Sequence, residues 1–113
     1  MDQLDVPTGA APIIDGVQFN RRTLGDPALQ VEVLALFVTE AERLLRQIED
    51  AADAQIRGDR LGAMAALART TGATRLFQVA RSLETQIGTL EPDLRPLRAA
   101  LAETIAYIRQ NGA

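Results

Sequence analysis

Histidine, lysine, cysteine and tryptophan are all missing from the 113 residues. Each absence removes a class of chemistry. Without cysteine there is no disulfide framework, no thiolate nucleophile and no zinc–thiolate site, and the chain suits a reducing compartment. Without histidine nothing can carry a phosphoryl group on an imidazole. All twelve basic residues are arginines, so Schiff-base and lysine acid–base chemistry are excluded as well. Hydroxyls such as Ser82, Thr70, Thr71 and Tyr107 have no histidine or lysine to activate them, which rules out a triad-type hydrolase.

Aromatics are scarce (Phe19, Phe37, Phe77 and Tyr107), so a base-stacking platform is not expected. The net charge of −3 gives no general bias toward nucleic acid. Apolar runs are too short to span a bilayer, and the first residues lack the basic-then-apolar layout of a signal peptide. The composition therefore predicts a cytoplasmic chain that binds neither nucleic acid nor membrane. No cofactor is implied.

What is present is leucine and alanine at helical spacing, in a length that suits one domain. Residues 1–14 carry Pro7, Gly9 and Pro12 without periodicity and read as a flexible leader, with the domain spanning 15–113. Asp15 and Gln18 make a loose capping box for a short helix from Gly16 to about Leu24, with Val17 and Leu24 turned inward. Gly25-Asp26-Pro27 is a helix boundary. Beyond it the stripe Leu34, Phe37, Ala41, Leu44, Ile48, Ala52 predicts a long second helix, from Ala28 to about Arg57, with Gly58 ending it. Asp59 is the expected cap of a third helix over about Arg60–Thr71. Gly72 interrupts, and a fourth helix carries Leu76, Phe77, Ala80, Leu83 and Ile87 up to Gly88. Pro92 and Pro96 bracket the start of the last helix, whose stripe is Leu94, Leu97, Leu101, Ile105, Ile108, with Asn111-Gly112 closing it. Short links favour antiparallel neighbours. The predicted fold is all-α, an antiparallel up-down-up-down four-helix bundle with a short extra N-terminal helix.

The segment Gly72-Ala73-Thr74-Arg75-Leu76-Phe77-Gln78-Val79-Ala80-Arg81-Ser82-Leu83-Glu84 resembles the helix that follows the phosphohistidine helix of histidine-containing phosphotransfer (HPt) domains. The shared pattern is Gly-Ala, then an aliphatic, a small residue and Leu-Glu in the same register. Arg22-Thr23-Leu24-Gly25-Asp26-Pro27-Ala28-Leu29 through Val33-Leu34-Ala35-Leu36-Phe37 is similar to the start of the family's second helix. The resemblance covers roughly residues 13 to 108. It implies that the phosphoacceptor histidine belongs ten residues before Gly72, at Gly62, with the family's lysine at Ala65 and the following glycine at Ala66. The bundle pattern is kept while the chemistry is lost. Phosphoryl carriage is excluded, because glycine has no side chain and alanine supplies no cation to phosphate oxygens.

Gly62, Ala65, Ala66 and Arg69 stand at i, i+3, i+4 and i+7, on one side of the third helix. The resemblance implies a degenerate docking patch, smooth and mostly apolar, completed by the second helix, with Arg69 at its edge. Its expected partner is the receiver domain of a response regulator or a histidine kinase. The rival reading is a structural module, a homodimer paired through the small residues of that helix. Asp50, Asp53 and Glu49 form an acidic group at the predicted end of the second helix, where they would oppose the helix dipole. It reads as a solvated face, with no metal expected. Glu84 and Glu103 are the candidate carboxylate pair, though Glu84 better suits a surface partnership with Arg81 or Arg75. The chain is expected not to be an enzyme.

Overall fold

In the computed structural model, residues 12–86 and 92–111 are described, and among them are five α-helices and no strand. They are α1 (Gly16–Arg22), α2 (Pro27–Glu49), α3 (Ala54–Thr71), α4 (Thr74–Glu84) and α5 (Arg95–Asn111). The all-α expectation holds. The predicted stops at Gly88 and Gly112 lie outside the described residues, as does most of the predicted leader.

Local chemistry sets most boundaries. The Asp15 carboxylate accepts the N–H of Gln18 at 3.1 Å and starts α1. Leu24 and Gly25 then both take left-handed backbone angles, φ 55° and 68°, which turn the chain toward α2. Asp26 caps α2 by accepting from Ala28 and Leu29, with Pro27 in the first turn. At the end of α3, Gly72 adopts φ 85°, and the N–H of Ala73 reaches back to the carbonyl of Ala68 at 2.8 Å. That is the bond pattern of a Schellman stop.

The break between α2 and α3 falls earlier than predicted. Asp53, not Asp59, caps α3, accepting the N–H of Ile56 at 2.9 Å. Gly58 is buried inside α3 and ends nothing, and Ala52 is exposed in the link instead of extending the α2 stripe. The shift removes the predicted conflict with the helix dipole for Asp53 alone, since Glu49 and Asp50 still stand at the C-terminal end of α2. Asp53 now lies at a helix N-terminus, where negative charge is favoured, and Glu49 pairs with Arg98 of α5 at 2.6 Å.

The core is drawn from α2 to α5. Leu34, Phe37, Ala41, Leu44 and Ile48 of α2 are buried, as their spacing predicts. Leu61 and Met64 of α3, Leu76 of α4 and Leu97 of α5 are each at most 1% exposed. Each such side chain contributes about 1.5–3 kcal/mol relative to exposure. Packing joins α2 to α3, α3 to α4, α4 to α5 and α5 to α2, the last contact being the sparest.

The orientation of α1 is a correction. Val17 and Leu24 face solvent, and no α1 residue is buried. The inward positions belong to Ile14, which is buried although it falls in the predicted leader, to Phe19, and to Thr23. Thr23 is held by Gln30, whose Nε2 donates to its hydroxyl at 2.9 Å. The backbone N–H of Asp15 donates to the carbonyl of Gly72 at 2.7 Å, pinning the start of α1 to the α3–α4 turn. A β-carbon at residue 72 would lie 3.3 Å from the Asp15 carbonyl, so both backbone angle and space call for glycine there. No helix among the described residues is long and apolar enough to cross a membrane.

Candidate functional site

α3 runs between α2 and α4, and its side toward α4 carries the four residues singled out in the sequence. Gly62, Ala65, Ala66 and Arg69 line one shallow groove of about 290 Å³ with Phe77, Arg81 and Glu84. The helical spacing thus does bring the four together. Their roles differ. Ala65, 3% exposed, is core and forms the floor, while Ala66 and Arg69 are exposed along the rim. Gly62 is half-buried beneath the carboxylate of Glu84.

The opposite wall comes from α4 and not, as expected, from α2. Phe77, Arg81 and Glu84 stand at i, i+4 and i+7, so a single side of α4 supplies all three. The Arg81 guanidinium sits over the Phe77 ring, 5.8 Å from its centre, and its Nε lies 3.4 Å from Glu84 Oε1. Cation–π contacts of this exposed kind contribute roughly 0.5–1 kcal/mol. The groove is therefore less apolar than expected, with two guanidinium groups and one carboxylate around an aliphatic floor. The sequence signal for this wall is the stretch Phe77 to Glu84 itself, in which Phe77, Arg81 and Glu84 share one helical face.

The described residues lining the groove include no hydroxyl, thiol or imidazole. The nearby hydroxyls are committed to their own helix: Thr70 donates to the Ala66 carbonyl and Thr71 to the Leu67 carbonyl, each at 3.0 Å. The candidate carboxylate pair is divided between two ion pairs, Glu84 with Arg81 and Glu103 with Arg75, the latter at 2.7 Å. Among the described residues no group of acids is placed to hold a metal ion. What the groove offers is contact: a place for a small apolar projection, flanked by charges of both signs. No family model matches the chain, and no curated protein or solved structure matches it either.

Proposed function

We propose that the chain is an HPt-like protein of bacterial two-component phosphorelay signalling that binds a receiver domain or a histidine kinase without carrying phosphate. The observation that carries this reading is the groove. The three positions at which the resemblance puts the phosphoacceptor chemistry, Gly62, Ala65 and Ala66, share one concave surface with Phe77, Arg81 and Glu84 of the Gly-Ala…Leu-Glu segment. The two halves of the resemblance, separate in sequence, support one another in space. The cyclic order of contacts from α2 to α5 agrees with an up-down-up-down bundle.

The mechanism is occupancy. A cytoplasmic receiver seated on the groove is unavailable to a competent phosphotransfer partner. Burial of a small apolar contact over Ala65 and Ala66, with Arg69 and Arg81 at the rim, suits a modest interface of transient affinity. Titration calorimetry against receiver domains of the same genome tests it. Micromolar binding that is lost in Ala66→Glu supports the reading, and silence with every receiver and kinase overturns it. Sedimentation separates the rival. A tight dimer that dissociates in Ala66→Glu would instead make the groove a self-association surface.

A further inference from the structure

The side of α3 that faces α2 carries a second furrow, separate from the groove at Gly62. Ile56, Arg60, Leu67 and Thr71 follow one another along α3, and Gln47, Arg43, Leu36 and Val33 run opposite them on α2. The furrow has two parts. One, of about 400 Å³, is apolar, with Val33, Leu36 and Leu67 around the ring of Phe37. Leu36 is 68% exposed there. The other, of about 460 Å³, gathers Arg43, Arg46 and Arg60 beside Ile56, which is 40% exposed. The ion pair in which Arg43 Nε donates to Glu40 at 3.0 Å joins the two parts.

Charge in the basic part is unbalanced. Arg43 is matched by Glu40, whereas Arg46 and Arg60 make no ion pair with the described residues. Asp50 is the sole carboxylate among the described residues lining that part. An apolar strip that runs on into unmatched guanidinium groups fits an extended segment carrying aliphatic and acidic side chains together.

The chain itself contains such a segment. Its first 20 residues hold Asp2, Asp5 and Asp15 but no arginine, with Leu4 and Val6 beside the first two acids. Pro7 biases Val6 toward extended backbone. The attachment point is fixed as well. Asp15 donates its backbone N–H to Gly72, the neighbour of Thr71 at the apolar end of the furrow. Along α3, Arg60 lies about 18 Å from Gly72. The stretch from Pro12 back to Asp5 spans about 23 Å when extended, so it reaches.

We propose that residues 2–11 dock along the α2–α3 furrow of their own chain. Leu4 and Val6 lie against Leu36 and Leu67, and Asp2 and Asp5 meet Arg46 and Arg60. Tethering holds the segment at an effective concentration on the order of millimolar, so weak contacts suffice. The furrow shares no residue with the Gly62 groove, which stays open whatever seats there. Any outside partner of the furrow must first displace the segment.

The lack of native cysteine makes the test direct. Gln3→Cys carries a nitroxide on the full isotope-labelled chain, and amide broadening is read against the chemically reduced label. Broadening should be strongest over residues 47–50 and 56–60. It should weaken about fivefold in Asp2→Arg/Asp5→Arg, which leaves every described helix untouched. Arg60→Glu, exposed in mid-helix, should weaken it too while the spectrum stays dispersed. The proposal is overturned by broadening centred on Tyr107 or on Gly62, by no broadening, or by a pattern unchanged in Asp2→Arg/Asp5→Arg. Broadening that passes from a nitroxide-bearing chain to a separate isotope-labelled chain would put a second copy in the furrow and overturn it too.

Discussion

The carboxylate of Glu84 stands over Gly62, so close that a β-carbon at residue 62 would lie 3.3 Å from its Oε2. Two effects oppose each other there. Glycine in mid-helix costs up to about 1 kcal/mol relative to alanine. The obstacle is the far end of a flexible side chain, partly exposed and paired with Arg81 at 3.4 Å. Propensity should win. Gly62→Ala is expected to stabilise the chain by roughly 0.5–1 kcal/mol, a rise of a few degrees in the thermal midpoint. A lowered midpoint would mean that Glu84 is fixed in place.

The same space bears on the missing imidazole. Because Glu84 can give way, Gly62→His should fold with little loss of stability. Under the proposed function it should also take phosphate from a charged receiver, seen as an acid-labile radiolabel that the parent chain never acquires. The single substitution is a cleaner probe than one combined with Ala65→Lys, since residue 65 is buried and an ammonium there would have to escape the core. A folded Gly62→His that stays unlabelled with every receiver it binds would count against residue 62 as the phosphoacceptor position that the resemblance implies.

The start of α3 separates two aspartates that look alike in the sequence. Asp53→Ala removes the carboxylate that accepts from Ile56 and should cost about 1 kcal/mol. Asp59→Ala, in mid-helix and exposed, should stay within about 0.5 kcal/mol of the parent. Urea denaturation of both variants reads the difference, and equal losses would restore the later boundary.

Asp93 governs part of the acid limb. Its carboxylate accepts from the Arg95 guanidinium at 2.9 Å and from the Arg95 backbone N–H at 3.0 Å. These bonds, the side-chain ones foremost, hold its pKa down at about 2 against an ordinary 3.8. A depressed carboxylate stabilises the fold above its unfolded pKa, and that contribution fades as pH falls from about 4 to about 2. Asp93→Asn should therefore flatten the loss of thermal midpoint across that window. The difference between the two chains should shrink in high salt, because the group is exposed to solvent.

The long helices and their caps were legible because they rest on local chemistry. Asp15, Asp26 and Gly72 act on neighbours within a few residues, and the stripe from Leu34 to Ile48 needs only a 3.6-residue period. The α2–α3 break was not legible, since Asp53 and Asp59 both precede good helix formers and Gly58 resembles a stop until its burial is known. Nor was the orientation of α1. Seven residues hold too few turns for a period, and Phe19 and Val17 offered two competing apolar sides. Half of the candidate site could be read as a face of α3, while the α4 wall depends on which helix lies next to it. That is a tertiary fact.

The sparse contact between α2 and α5 has a kinetic consequence. Most of the packing joins helices that are consecutive along the chain, and such short-range topologies fold in milliseconds or faster. The α3–α4 hairpin, the most heavily packed pair, should form early, with α5 zipping on last and Arg98 latching onto Glu49 as it closes. Native-state hydrogen exchange should accordingly show α5 amides escaping through a partial opening that leaves the α3 amides protected.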